Sequence, residues 1–446
     1  MFEKIIGYEN EKAELSKFCD VIININYYKS LGISIPKGII LSGEPGLGKT
    51  TFAYSIIEAC NVPYYILRKN ADSAQFITNM REVFESAKNS APSIILLDDM
   101  DKFGNGDKYA PEYTSLQGAI DDYKSSDIFI IGTVNDIFVL PMSLTRVGRF
   151  DRIITFQNPE KRESSMISNY YLDSKKVNID PSINRDLLGK LFEGYSCATI
   201  ETIINMAAMT SVYERNQYIT LDNIIDTILN VVYSKPKVYI DDRTWEEKYR
   251  LAIHEAGKAV VTYFLNKDYL SIITIRERNT MLSTKKDKYT MKVDEKYFDY
   301  NRKSFIDRLN DITILFAGKV CFEMKFNTFD TTVNSDLSLI DVLVDDIMYD
   351  TALGSMPNVI RKDGKPKIID GQMQYEYDDK NITRKDIYDY CVDYARNILS
   401  SNWMLVESIA RLLIEKNTIT IYDIDNLING NIHIQNNSIF CNLIEG

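Results

Sequence analysis

One glycine-rich segment constrains the fold of this 446-residue chain more than any other feature. The segment fits the pattern G-x-x-x-x-G-K-[ST] and lies between an apolar run at residues 38–41 and a helical stretch at residues 51–57. Glycines let backbone N–H groups converge on phosphate oxygens, and the N-terminus of a following helix favours an anion. The predicted phosphate-binding segment consists of Gly43, Glu44, Pro45, Gly46, Leu47, Gly48, Lys49, Thr50 and Thr51.

Two side chains of this segment predict its ligand. Lys49 would neutralise the β- and γ-phosphates of a nucleotide, and the Thr50 hydroxyl would bind Mg²⁺. The alternative is a glycine-rich turn that matches the pattern by chance. Because a predicted strand precedes the segment and a predicted helix follows it, we favour ATP and Mg²⁺ as the ligands.

A second motif supports the same interpretation. The apolar run at residues 94–97 ends in Asp98 and Asp99. We expect Asp98 to hold Mg²⁺ through water and Asp99 to act as the base that polarises the attacking water. A strand that ends in two aspartates is often only a sheet edge that meets solvent. Together with the glycine-rich segment, the pair indicates nucleotide hydrolysis.

A third apolar run, at residues 128–131, is followed by Asn135, which would orient the attacking water. Arg146 and Arg149 follow in a segment that contains three arginines within seven residues. Such a segment is either a solvated charged loop or, in a ring of subunits, a source of arginines for the neighbouring active site. We expect the second role for both arginines.

The order of these segments predicts the fold class. Continuous apolar runs that alternate with helical stretches are typical of the buried strands of a parallel sheet. We predict an α/β nucleotide-binding subdomain at residues 1–156 and a helical lid subdomain at 157–236. A mainly helical domain at 240–430 and a tail at 431–446 would follow.

Charge and composition exclude several classes of function. Lys and Arg number 52 and Asp and Glu 63, which gives 52 − 63 = −11, so broad nucleic-acid binding is not expected. The six cysteines form no CxxC pair, which argues against a disulfide framework and fits a reducing compartment. No run approaches the roughly 18–20 apolar residues of a membrane span. We therefore expect a cytoplasmic protein.

Taken together, the motifs resemble the FtsH family of AAA+ ATP-dependent zinc metalloproteases. Residues 146–152 are similar to that family's second region of homology, residues 2–8 to the start of its ATPase module, and residues 194–198 to the start of its lid helix. The resemblance extends over about residues 2–428, without the transmembrane segments that usually precede the ATPase. It implies an AAA+ ATPase in a homo- or hetero-hexamer that acts on a protein substrate or client.

The resemblance continues into the predicted C-terminal domain. Residues 249–258 look like the family's zinc helix, and residues 316–320 and 331–336 look like the segment that delivers its third metal ligand. For this chain the resemblance implies His254 and Asp336 as zinc ligands.

The zinc motif departs from the family at one ligand position. H-E-x-x-H requires two histidines one helical turn apart, with Glu255 as the general base. Lys258 stands at the second position, and its ammonium has no lone pair for a metal. Because two ligands remain, we expect no stoichiometric zinc, a vestigial base, and an ion pair of Lys258 with Asp336 or Glu255. The alternative third ligand is His433, in the predicted tail.

The ATPase half also departs from the family pattern. Asp99 stands where the family has a catalytic glutamate, and the aromatic-hydrophobic-glycine loop that grips substrate is missing, with Phe76 and Ile77 as its nearest remnant. Three functions stay open. The favoured one is an ATPase with a degenerate peptidase domain; the others are an active protease with an unusual ligand and a nucleotide-binding scaffold.

Overall fold

The computed structural model describes residues 2–3, 5–70, 72–146, 148–237, 241–276, 304–328, 334–350, 367–369, 372–374 and 383–430. The chain forms two compact units, Met1–Thr227 and Ile228–Gly446. His433 and residues 331–333, which were named from the sequence, lie outside the described residues.

A five-stranded parallel sheet forms the centre of the first unit. Its strands are β1 (Gly38–Ser42), β2 (Tyr64–Leu67), β3 (Ser93–Leu97), β4 (Ile128–Val134) and β5 (Arg152–Thr155). They are hydrogen-bonded in the order β2-β3-β4-β1-β5. The three inner strands are buried along their whole length, as expected for a sheet that is covered on both faces. The predicted parallel sheet is confirmed.

Helices surround this sheet and continue beyond it. They are α1 (Glu9–Ile23), α2 (Ile25–Ser30), α3 (Lys49–Cys60), α4 (Ser73–Asn89), α5 (Pro111–Asp122), α6 (Lys161–Asp173), α7 (Arg185–Phe192), α8 (Cys197–Tyr213) and α9 (Leu221–Val231). Two short parallel strands, β6 (Asn178–Ile179) and β7 (Tyr218–Ile219), accompany the last four helices. Ser196 caps α8 by accepting a hydrogen bond from the Thr199 N–H, which is a favoured arrangement at a helix start.

The second unit is mainly helical, as predicted. Its elements are α10 (Trp245–Asn266), β8 (Ile272–Thr274), α11 (Phe305–Phe326), α12 (Asn334–Asp345), β9 (Lys367–Ile369), β10 (Gln372–Gln374), α13 (Arg384–Ser401), α14 (Trp403–Lys416), β11 (Thr418–Thr420) and α15 (Ile421–Ile428). β8 pairs with β11 and β9 with β10, both antiparallel. Among the described residues, no helix combines the length and apolarity needed to cross a bilayer.

Glycines bring the two longest helices of this unit, α10 and α11, close together. A Cβ atom at Gly257 would lie 2.3 Å from the Cβ of Cys321, and one at Gly318 would lie 2.4 Å from the His254 ring. A side chain at either position would force the helices apart, since a core cannot absorb such overlap. The imidazole of His254 is thereby held against the backbone of α11.

Candidate functional site

The glycine-rich segment connects β1 to α3, as the sequence predicted. Gly46 and Gly48 have φ of 84° and 85°, a region that favours glycine. A Cβ atom at Gly46 would also lie 2.8 Å from the Ser196 hydroxyl. The Gly46 carbonyl accepts a hydrogen bond of 3.1 Å from the Ala198 N–H, so the loop is joined to the start of α8.

Lys49 is the cation of this loop and is only 7% exposed. Its Nζ donates to the carbonyl oxygens of Gly43 (2.7 Å) and Glu44 (2.8 Å) and to Asn135 Oδ1 (2.9 Å). Burial lowers the pKa of Lys49 from its ordinary value, although three nearby aspartates act in the opposite direction. The Lys49 ammonium therefore lies inside the loop. There the oxygens of an anionic ligand would replace the carbonyl oxygens as its hydrogen-bond acceptors.

The Asp98 carboxylate lies beside Thr50, so the two side chains predicted to bind Mg²⁺ are together. Asp98 Oδ1 accepts hydrogen bonds from Thr50 Oγ1 (3.1 Å) and from Thr133 Oγ1 (2.8 Å). Asp98 Oδ2 is 2.6 Å from Arg68 Nη2. A hydroxyl next to a carboxylate provides the oxygen ligands that Mg²⁺ prefers, so these residues fit the ion. Arg68 and Thr133 belong to no sequence motif, so neither could be predicted as part of this site.

Two other predicted residues lie at the ends of β3 and β4. Asn135 contacts Lys49 and also donates from Nδ2 to Asp101 Oδ2 at 2.8 Å. Asp99 has φ 56° and ψ 56°, and its carboxylate is 2.6 Å from Lys102 Nζ. The structure thus brings Asn135 into the lysine site, whereas the Asp99 side chain is 41% exposed and paired with Lys102.

An apolar cavity of about 100 Å³ lies next to the phosphate loop. Its lining combines the start of the chain, the loop and the start of α8. Such a cavity suits the planar base of a nucleotide, because ligand pockets are mainly apolar with few polar groups. The lining residues are Ile5, Ile6, Tyr8, Leu47, Gly48, Thr51, Phe52, Ile167, Tyr170, Tyr171 and Cys197.

The two arginines predicted to reach a neighbouring subunit differ in their surroundings. Arg149 forms a bidentate pair with Asp121, at 3.1 Å from Nε and 2.6 Å from Nη2, and its Nη1 donates to the Ser143 carbonyl at 2.5 Å. Arg146 is exposed and forms no ion pair within the described part of the chain. Arg146 is therefore the one that is available to another subunit.

Phe76 is not a remnant of a substrate-gripping loop, so that prediction is wrong. Its side chain is fully buried on α4, and its ring centroid lies 4.8 Å from that of Phe103. The connection between β2 and α4 instead carries Arg68 and Lys69, and Lys69 pairs with the buried Glu112 at 2.7 Å. The sequence pattern misled because the aromatic residue belongs to the hydrophobic core.

In the second unit, the ion pair predicted for Lys258 is present. Its Nζ lies 3.1 Å from both carboxylate oxygens of Asp336, and the Lys258 side chain is only 5% exposed. His254 Nε2 lies 3.3 Å from Asp336 Oδ2. Burial acts to raise the pKa of Asp336, but Lys258 and His254 more than offset this and hold the pKa below its ordinary value.

These residues do not fit a catalytic zinc ion. The Lys258 ammonium contacts both carboxylate oxygens of Asp336, so neither is free to bind a metal. In addition, a catalytic zinc normally has three protein ligands. A metal-binding histidine usually donates its second ring N–H to a partner, but His254 Nδ1 has none among the described residues. Both oxygens of the buried Glu255 also lack a hydrogen-bond partner there. Over the same residues, no group of three or more His, Cys, Asp and Glu is placed to hold a metal.

Comparison with known proteins agrees with the geometry of the first unit. Residues 39–158 match the family described as ATPase family associated with various cellular activities (AAA). The chain is 26% identical, over 96% of its length and 68% of the relative's, to the ATP-dependent zinc metalloprotease FtsH of Acholeplasma laidlawii. It is 25% identical to FtsH 2 of Salinibacter ruber (96% and 65%) and 27% identical to FtsH 2 of Bdellovibrio bacteriovorus (94% and 71%).

These matches confirm the predicted resemblance. The chain carries an AAA ATPase region at residues 39–158, and its likeness to the FtsH relatives covers nearly all of its residues. It spans about two thirds of the length of these relatives.

Proposed function

We propose that this FtsH-type chain binds and hydrolyses Mg²⁺-ATP within a hexameric ring that acts on a protein client, without cleaving peptide bonds itself. One observation carries the ATPase part. Lys49 donates a hydrogen bond to Asn135 and Thr50 donates one to Asp98, and these four residues come from three separate sequence motifs.

Each of these residues has a chemical task in the proposed reaction. Lys49 neutralises phosphate oxygens, and the Thr50 and Asp98 oxygens hold the hydrated magnesium ion, which when bound offsets charge on the phosphates. Asn135 orients the attacking water, and Asp99 accepts its proton. Because aspartate is one methylene shorter than glutamate, the water must lie closer to the backbone of Asp99 than it would beside a glutamate.

Assembly would complete the site through Arg146. Arginines supplied by a neighbour stabilise charge on the transferred phosphoryl group and contribute about 10³-fold or more to kcat. Arg146→Ala should therefore lower hydrolysis by the assembled protein by about that factor. Arg149→Ala, which breaks contacts within one chain, should mainly lower stability. Equal ATPase rates for the wild type and Arg146→Ala would contradict this assignment.

The second unit would serve as a structural platform rather than as a peptidase. The Lys258–Asp336 pair supports this part of the proposal, because the ammonium takes the place of a divalent cation. A site without zinc would also lack the Lewis acid that polarises a peptide carbonyl.

The experiment measures ATP hydrolysis and casein cleavage by the purified full chain over a range of protein concentrations. We expect hydrolysis that rises with assembly, as followed by light scattering, and no casein cleavage. Full ATPase activity in a monomer would contradict the ring. Casein cleavage that is lost in Glu255→Gln and in chelator would contradict a lost peptidase.

One observation favours a second candidate, a scaffold that binds nucleotide without turnover. The Asp99 carboxylate is paired with Lys102 instead of lying free beside the phosphate loop. ATP binding by the assembled wild type without measurable hydrolysis would support the scaffold over the ATPase.

A further inference from the structure

Thr133 is a polar residue inside an otherwise apolar central strand. It lies in β4, two residues before Asn135, and its side chain is fully buried. Its neighbours in the strand, Gly132 and Val134, have no polar side chain. Because a buried hydroxyl is costly unless it is hydrogen-bonded, the partners of Thr133 explain its presence.

The Thr133 hydroxyl joins the two acidic residues of the nucleotide site. It accepts a hydrogen bond of 2.8 Å from the Asp99 backbone N–H and donates one of 2.8 Å to Asp98 Oδ1. A hydroxyl has one proton and two acceptor lone pairs, so both bonds form at once. A single oxygen atom thus fixes the side chain of Asp98 and the backbone of Asp99.

The backbone of Asp99 depends on such support. Its φ of 56° and ψ of 56° lie in the left-handed region, which residues other than glycine adopt rarely and Asp mainly where hydrogen bonds support it. This conformation determines the direction in which the Asp99 carboxylate leaves the end of β3. Without the hydroxyl of Thr133, the Asp99 N–H would lose its acceptor and the backbone would be free to relax.

Among the described residues, Thr133 differs from the other two side chains that donate hydrogen bonds to Asp98. The Arg68 side chain is 55% exposed, and Thr50 is itself assigned to magnesium. Thr133 is fully buried and is assigned no other ligand. Its bond to Asp98 is therefore the one that need not change when a nucleotide enters.

We propose that Thr133 is a positioning residue for ATP hydrolysis, which acts through Asp98 on magnesium and through Asp99 on the attacking water. This inference rests on the proposed ATPase function. Partners that orient metal-binding and catalytic groups typically change metal affinity or activity by about 10- to 100-fold when they are removed.

The test compares Thr133→Val, which keeps the shape but loses the hydroxyl, with Thr133→Ser, which keeps the hydroxyl. For Val we expect kcat to fall about 10- to 100-fold and the Mg²⁺ needed for half-maximal nucleotide binding to rise, while nucleotide affinity without Mg²⁺ stays within about twofold. Ser should restore both properties. Thr227→Val, at another buried threonine whose hydroxyl donates to the Asn223 carbonyl, is the matched control.

Wild-type kcat and Mg²⁺ dependence in a folded Thr133→Val protein would overturn the proposal, and so would a Ser variant as impaired as Val. If the Val protein does not fold, Thr133→Ala and Thr133→Ser, which differ only by the hydroxyl, give the same comparison. An inactive wild type would refute the ATPase function instead, and the Mg²⁺ dependence of nucleotide binding would still test Thr133.

Discussion

Two carboxylates in this chain, Asp98 and Asp336, stand where sequence motifs place a divalent metal, and each is paired with a cation of the same unit. The pairs differ in their contact with solvent. The Arg68 side chain beside Asp98 is 55% exposed, whereas the Lys258 side chain beside Asp336 is 5% exposed.

We propose that this difference separates an open metal site at Asp98 from a closed one at Asp336. The Asp98 side chain itself is only 6% exposed, but the Arg68 guanidinium can move into solvent, so Mg²⁺ that arrives with a nucleotide can replace it. Removing one partner of a buried pair costs about 3–5 kcal/mol, and zinc would gain only two protein ligands by displacing Lys258. We propose that exposure of the competing cation, together with the number of remaining ligands, decides which of the two sites binds a metal.

The largest effect should come from removing the cation of the open site itself. Lys49→Ala deletes the buried ammonium that the triphosphate requires, and we expect ATP affinity to fall by about 100-fold or more in a direct titration. Lys29→Ala, which removes an exposed ion pair with Asp127 in the same unit, is the control. Unchanged ATP affinity in Lys49→Ala would contradict the assignment of this loop as a nucleotide site.

Breaking the Lys258–Asp336 pair should lower the unfolding free energy more than breaking the Arg68–Asp98 pair. Lys258→Met leaves Asp336, whose side chain is only 14% exposed, without its cation, so we expect the second unit to lose about 3–5 kcal/mol of unfolding free energy. Both tryptophans, Trp245 and Trp403, lie in that unit, so their fluorescence during urea unfolding reports on it. Adding Asp336→Asn should recover much of the loss. A cost below about 1 kcal/mol would show that Lys258 is no substitute for a metal.

The pair with the exposed cation should show the smallest effect. Because Asp98 keeps its hydrogen bonds from Thr50 and Thr133, Arg68→Met is expected to cost the first unit less than the roughly 3–5 kcal/mol of a buried pair, as measured by circular dichroism. Because the guanidinium competes with Mg²⁺ for Asp98, its loss should also lower the Mg²⁺ needed for nucleotide binding by about two- to fivefold. A higher Mg²⁺ requirement would mean that Arg68 promotes Mg²⁺ binding. It would contradict the claim that Arg68 competes with the ion for Asp98.

The inner strands of the sheet could be predicted from sequence, and the outer ones could not. β1, β3 and β4 are buried along their length, so each reads as a continuous apolar run. β2 and β5 are edge strands with several exposed side chains, and β5 begins at Arg152 within a charged segment. Partial exposure removes the pattern on which the prediction depends.

The candidate sites show the same limit. Lys49, Thr50 and Asp98 belong to local motifs, whereas Arg68 and Thr133 reach Asp98 only through the pairing of β2, β3 and β4. The Asp336 contact with Lys258 was predicted from family resemblance, since nothing in local spacing links residues 78 positions apart. The subdomain boundaries and the roles of the catalytic residues remain predictions.

The most direct test of a closed second site is the zinc content of the full chain after equilibration with zinc and gel filtration, measured by elemental mass spectrometry. The wild type should retain almost no zinc, because it offers two ligands and a buried ammonium. Lys258→His, which supplies the third ligand, should approach about one zinc per chain. A wild-type protein that holds about one zinc per chain would contradict the account, since Lys258 would then not occupy the place of the metal.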